Sequence, residues 1–205
     1  MFNIDPSREC VGWLLRHGEL DRMSIWDSWG SYTLSEKGCE QAEAAARWLS
    51  YERIGRVIAS DMPRSLQTAE YLMATGVVEC PFLATDPNLR PWFVGDEFTG
   101  KEKTPERIKS FMKYVEDPSL VIPGGESRNQ LDQRVQVAFT YLSTPYKALP
   151  TAIFIHNSTI KAIMGIDAVK DAVMPGGVIA CYLDEKGEMS FEVKIGEISP
   201  EIGVS

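Results

Sequence analysis

The chain holds only two histidines, and each follows directly on a short apolar run. Val11-Gly12-Trp13-Leu14-Leu15 leads into Arg16-His17-Gly18-Glu19, and Thr151-Ala152-Ile153-Phe154-Ile155 leads into His156-Asn157. A third run, Val57-Ile58-Ala59, ends in Ser60-Asp61 and is followed by Arg64. Imidazole can attack as a nucleophile or move a proton near neutral pH, and guanidinium forks match the oxygens of a phosphate. An arginine at the end of a buried strand carries a charge that needs a partner. Arg16, Arg64, His17 and His156 at three such ends therefore suit an oxyanion with several acceptor oxygens. A metal site would call for carboxylates or more histidines, so none is expected. Gly18 permits close backbone approach, and a helix beginning near Ser158 directs its first N–H groups to the same rim. Each residue alone has a plainer account. A histidine after a strand is often a loop cap, and Arg64 has Asp61 and Glu70 at hand as surface partners. Four such residues converging by chance is much rarer than any one of them.

The elements that must position these groups follow from the hydrophobic pattern. Apolar runs over residues 11–17, 56–60 and 151–155 read as buried strands of a mostly parallel sheet, with ligands expected at their carboxyl ends. Residues 77–83 are expected as another strand, confined to an edge by Pro81. Ser35 caps a helix with Ala42, Ala45, Ala46 and Leu49 inward, running to about Tyr51. Pro63 opens a second helix bearing Leu66, Ala69, Leu72 and Met73, with Gly76 as its stop. Thr104-Pro105 opens a third, and Ser127 with Gln130 has capping-box spacing before a fourth. A fifth starts at Ser158. Two strands flanking Asp184-Glu185-Lys186-Gly187 form a hairpin. This alternation predicts an α/β protein, a three-layer α/β/α sandwich with a mostly parallel sheet. Residues 86–103 lack a clean period, and 86–125 as a whole are expected to be an irregular insert that sets specificity. Trp26, Trp29, Trp92 and Phe93 are candidates for an aromatic wall, with packing as the plainer reading.

At 205 residues, with 44% hydrophobic and 24% charged residues, one domain spanning residues 1–205 is the expectation. The net charge of −8 and the absence of Lys/Arg blocks argue against nucleic acid as a partner. No stretch reaches the apolar length of a membrane helix, and residues 1–10 do not read as a signal peptide. Cys10, Cys39, Cys80 and Cys181 are widely spaced, which favours a reducing cytoplasm over a disulfide framework. Oligomeric state has no signature here.

Several segments together resemble a known family. Arg16-His17-Gly18-Glu19 resembles the RHGE signature of the histidine phosphatase (phosphoglycerate mutase-like) superfamily. Leu34-Ser35-Glu36-Lys37-Gly38-Cys39-Glu40-Gln41-Ala42 is similar to its L-(T/S)-x-x-G-x-x-Q-A segment. Ser60 to Ala69 is similar to its S-x-x-x-R-x-x-Q-T-A segment, and Gly124-Gly125-Glu126-Ser127 to its G-G-E-S turn. The matches run in the family's order from residue 11 to about 165. The resemblance implies a phosphoglycerate mutase-like fold and a metal-independent phosphatase without a cofactor. His17 would attack phosphorus and become phosphohistidine. Arg16, Arg64 and a protonated His156 would hold the non-bridging oxygens. Gly18, Glu19, Asn157 and Ser158 would complete the binding site for a phosphorylated small molecule or phosphoprotein.

The chain also departs from the pattern. Pro91 stands where the family carries an acidic residue, which leaves Asp96, or else Glu97, as the proton donor, unless the leaving group needs little acid. Met23 replaces the asparagine of mutase-like members, which disfavours a sugar-phosphate mutase, although a phosphotransferase or mutase stays among the alternatives. Asn157 follows the second histidine where many members have glycine, and could hydrogen-bond a substrate oxygen. A catalytically weak relative that binds phosphorylated ligands is the alternative that Pro91 and Asn157 motivate.

Overall fold

The computed structural model describes residues 8–22, 24–26, 28–79, 82–143, 150–165, 171–195 and 198–200. Strands β1 (Arg8–Arg16), β2 (Arg56–Ala59), β3 (Leu83–Thr85) and β4 (Thr151–Ile155) alternate with helices α1 (Glu36–Leu49), α2 (Pro63–Ala74), α3 (Gly95–Phe98), α4 (Pro105–Glu116) and α5 (Arg128–Ser143). Helix α6 (Asn157–Met164) and strands β5 (Asp171–Val173), β6 (Val178–Asp184), β7 (Met189–Ile195) and β8 (Ile198–Pro200) complete the described chain. Six strands form one mixed sheet in the order β3-β2-β4-β1-β6-β7. The first four are mutually parallel; beyond β1, β6 pairs antiparallel with β1 and β7 antiparallel with β6.

Helices cover both faces, because the buried strands are apolar on both sides. Trp13, Leu15, Val57, Ala59, Ala152 and Phe154 pack with Ala45, Ala46 and Leu49 of α1 and Ala69 and Leu72 of α2. Their sequence neighbours Leu14, Ile58, Ile153 and Ile155 pack with Tyr114 of α4, Leu131 and Val135 of α5 and Ile160 and Ile163 of α6. Leu14 and Leu15 are fully buried on opposite faces, each stabilising the fold by roughly 2 kcal/mol. The fold is therefore a three-layer α/β/α sandwich.

Helix starts follow the expected chemistry. Ser35 accepts the Gly38 N–H at 3.0 Å, and Thr104 accepts the Arg107 N–H at 3.3 Å. At α5, Ser127 Oγ accepts the Gln130 N–H while Gln130 Oε1 accepts the Ser127 N–H, a reciprocal capping box. Helix α2 ends at Ala74, two residues before Gly76 at φ +72°.

Two expectations need correction, and one element had no expectation. The strand expected over 77–83 is instead β3, Leu83–Thr85, on the sheet edge beside β2, and Pro81 lies outside the described residues. The insert is less irregular than expected: a 3-10 turn at Pro87–Leu89 and the short helix α3 interrupt residues 86–103. A second, two-stranded antiparallel sheet of β5 with β8 had no counterpart in the sequence pattern.

Candidate active site

Because β4 lies between β1 and β2, the carboxyl ends of all three strands are adjacent. Arg16 pairs with Ile155 across β1 and β4, and Ala59 with Phe154 across β2 and β4. The next residues, His17, His156 and Ser60, therefore leave the sheet side by side. The two imidazole centroids are 5.1 Å apart, and both rings are buried, with His17 5% and His156 2% exposed. Arg64, in the first turn of α2, is 1% exposed. Arg64 is thus not the exposed residue that a surface pairing with Asp61 or Glu70 would require. Arg64 donates instead to the carbonyls of Ser28 at 2.6 Å and Gly30 at 3.1 Å, and Asp61 pairs with Arg90 at 2.5 and 2.7 Å.

The tautomer of His17 follows from one contact. Its Nδ1 lies 2.7 Å from the Gly18 carbonyl oxygen, which can only accept, so Nδ1 carries the proton and Nε2 keeps a lone pair. Burial lowers the His17 pKa well below its ordinary 6.5, and the charges of Arg64 and Arg16 lower it further, against the opposing Gly18 carbonyl. Burial likewise lowers His156, followed by Arg64, His17, Arg16 and Arg134. His156 is therefore neutral in the ligand-free site, whereas the protonated form that the resemblance implies belongs to the phosphate-bound site. Its Nε2 meets Ser60 Oγ at 2.9 Å, and its Nδ1 is buried without a hydrogen-bond partner among the described residues. Ser60 was part of a quoted motif but had no assigned role.

Gly18 is required by close packing. A Cβ there would lie 2.2 Å from the Gly38 carbonyl oxygen, and a Cβ on Gly38 would lie 2.1 Å from that of Glu19. Backbone thus rests on backbone where β1 passes the start of α1. The Gly18 N–H donates to Thr68 Oγ1 at 3.2 Å, and the Glu19 N–H to Gln41 Oε1 at 2.8 Å. The motif glutamine and threonine thereby fix the chain just after His17. The Glu19 carboxylate pairs with exposed Lys37 at 2.8 Å. Ser158 Oγ accepts the Trp92 N–H at 3.0 Å, and Asn157 Oδ1 accepts the Val173 N–H at 3.0 Å. Asp96 is exposed on α3 beside Gly124. The structure thus brings His17, His156, Arg16 and Arg64 together, while Asp96 occupies the surface of the insert. Met23 lies outside the described residues. Among those residues, no three His, Cys, Asp or Glu side chains form a group able to hold a metal.

The family model of the histidine phosphatase superfamily (branch 1) matches residues 13–167, which includes both histidines and both arginines. The chain belongs to this superfamily. An Arabidopsis thaliana protein named metal-independent phosphoserine phosphatase is 32% identical over 163 residues, 73% of this chain and 65% of its own length. A fructose-2,6-bisphosphatase TIGAR from Xenopus laevis is 32% identical over 133 residues, 63% of this chain and 48% of its own. The chain thus spans between about half and two-thirds of these relatives. A mycobacterial glucosyl-3-phosphoglycerate phosphatase has the same fold, with a TM-score of 0.72 at 23% identity, covering 94% of this chain and 99% of that one. So does phosphoglycerate mutase from Thermus thermophilus, with a TM-score of 0.64 at 24% identity, covering 89% of this chain and 98% of that one.

In this member of the superfamily a clamp holds the Pro91 segment. Arg134 of α5 donates to the carbonyls of Asn88 (2.6 Å), Arg90 (2.8 Å) and Pro91 (2.8 Å), and to both oxygens of Glu126. Glu126 Oε1 also accepts the Phe93 N–H. Neither Arg134 nor Arg90 was singled out in the sequence. The four aromatic candidates divide into two pairs. Trp26 and Trp92 pack with Phe111, whereas Trp29 and Phe93 stack with centroids 4.4 Å apart and Arg90 lies over the Trp29 ring.

The two buried neutral histidines have a consequence for stability. Below pH 6.5 the unfolded chain binds protons that the folded chain does not, so stability falls as pH falls. The expected slope is up to about 1.4 kcal/mol per pH unit for each histidine. Urea denaturation between pH 7.5 and pH 5 checks this. A ligand-free stability independent of pH below 6.5 would contradict the neutral pair.

Proposed function

We propose that the chain is a metal-independent phosphatase that hydrolyses a phosphorylated small molecule through a phosphohistidine on His17. The observation that carries the reading is the buried His17 ring. Its Nδ1 is tied to the Gly18 carbonyl, which leaves Nε2 unprotonated beside His156 and between the charges of Arg16 and Arg64. Nε2 attacks phosphorus and the bond to the leaving oxygen breaks. The two guanidinium groups offset charge on the non-bridging oxygens as the transition state forms. Water then attacks the phosphohistidine, releasing phosphate and restoring the ring. The names of the plant and frog relatives, both phosphatases of small phosphorylated molecules, support this substrate class. In this reading the proton for the leaving group comes from Asp96, or else from the neighbouring Glu97, both exposed carboxylates on the insert that carries Pro91. The widely spaced cysteines support a cytoplasmic setting; among them Cys10, Cys39 and Cys181 are free, and Cys80 lies outside the described residues.

The test is hydrolysis of p-nitrophenyl phosphate and of an alkyl phosphate, each with excess chelator. Turnover of both is expected to survive the chelator. Loss with chelator and restoration by a divalent cation would overturn metal independence. Asp96→Asn should slow the alkyl phosphate by roughly 10²-fold and the nitrophenyl ester far less, because nitrophenolate leaves without a proton. Equal rates for Asp96→Asn and wild type on the alkyl ester would remove Asp96 from the mechanism.

A further inference from the structure

Asn157 opens α6 directly after His156, yet its side-chain oxygen reaches to β5. Asn157 Oδ1 accepts the Val173 N–H at 3.0 Å, and the carbonyl of the same Val173 accepts a hydrogen bond from Arg16 Nη1. Val173 is buried, at 1% exposure. The residues that follow bind the Arg16 backbone. The Arg16 N–H donates to the Gly177 carbonyl at 3.1 Å, and the Gly176 N–H is shared between the carbonyls of Arg16 and His17 at 3.2 Å each. Residues 173–177 thus surround Arg16 with main chain, and Asn157 ties the start of that segment to the helix that begins after His156.

We infer that Asn157 is a positioning residue: by fixing Val173 it sets the direction of the Arg16 guanidinium relative to His156. A guanidinium has five N–H donors in a rigid fork, so fixing one on a carbonyl determines where the others point. Glycine at position 157 would leave the buried Val173 N–H without this acceptor. Aspartate would accept the same bond but place a negative charge next to the anion site. Asparagine supplies the acceptor and no charge. The side chain therefore acts on phosphate through Arg16 rather than by touching it, and this rests on the phosphate-site reading above.

A double-mutant cycle tests it, with inorganic phosphate titrated calorimetrically into wild type, Asn157→Ala, Arg16→Ala and the double variant, each checked for a cooperative thermal transition. Asn157→Ala should weaken phosphate binding roughly tenfold, and Arg16→Ala more. In the Arg16→Ala background the further loss from Asn157→Ala should shrink to about twofold or less, because contacting residues couple. Unchanged affinity in Asn157→Ala would overturn the inference. So would a full second loss in the double variant, which marks Asn157 as a direct phosphate contact. Wild-type affinity in Arg16→Ala would overturn the phosphate site itself and the inference with it. Should Asn157→Ala fail to fold, Asn157→Ser, too short to reach Val173, takes its place with the same outcomes.

Discussion

Replacing His17 with alanine is expected to lower kcat on p-nitrophenyl phosphate by at least roughly 10³-fold, while phosphate binding changes only severalfold. The asymmetry follows from the division of labour in the site. Removal of the nucleophile ends the covalent route, because His17 is the ring whose Nδ1 is held by a carbonyl so that Nε2 keeps its lone pair, whereas the His156 Nε2 is engaged by Ser60 Oγ. Arg16 and Arg64 remain, and on the proposed reading theirs is the charge expected to hold the anion. The same reasoning predicts the acid side of the pH profile. Attack needs a neutral ring, and burial followed by the arginine charges keeps His17 neutral well below 6.5. The rate on a substrate of fixed charge should therefore stay level through the range where an ordinary histidine gains its proton. Rapid quench of wild type with labelled substrate in alkaline denaturant, where the P–N bond of phosphohistidine persists, should trap label on His17, and His17→Ala should trap none. Persistent turnover in His17→Ala would sink the phosphohistidine route.

Why some of this site is legible in the sequence, and some is not, has a physical basis. The stretch of a strand buried on both faces must be apolar, so its end is marked by the first polar residue: Arg16, next to His17, for β1 and His156 for β4. Helix caps are equally local, which is why Ser35, Thr104 and Ser127 fall where their side chains predict. Residues whose partners are main-chain carbonyls of distant loops leave no such trace. Arg134 reads as one more polar position of an amphipathic helix until the Asn88–Pro91 carbonyls are placed against it. Ser60 reads as a strand terminus until β4 is inserted between β1 and β2. The weak pairing of β5 with β8 depends on contact between segments far apart in the chain. Composition also could not separate Trp26, which packs in the core, from Trp29, which stacks with Phe93. Charge states belong to this second group: His156 is neutral because of burial and of Arg64, neither of which a motif records.

Arg134→Ala is expected to destabilise the fold by about 3–5 kcal/mol, the largest loss among single substitutions outside the core. Arg134 and Glu126 are largely buried, with side-chain exposures of 17% and 15%, and pair at 2.6 Å. Removing the arginine leaves the Glu126 carboxylate poorly solvated and strips three carbonyls, those of Asn88, Arg90 and Pro91, of a donor. Each lost partner of a buried polar group costs about 1–3 kcal/mol where water cannot replace it. Removing Glu126 as well should restore part of the loss, since the stranded charge goes with it, so Glu126→Ala/Arg134→Ala should be more stable than the sum of the single variants. Urea denaturation of the four proteins at pH 7 measures the coupling. Strict additivity would mean the pair is a surface contact with little mutual dependence. On the proposed reading the clamp is also expected to affect activity, because the segment it binds carries Pro91 and Phe93 and hydrogen-bonds α6, the helix that follows His156, through Ser158. Arg134→Ala should therefore raise KM even at temperatures where the variant is fully folded. Trp29 and Phe93, held in register by that segment, should then lose their stacking, which Trp29 fluorescence can follow in a background with the other tryptophans replaced.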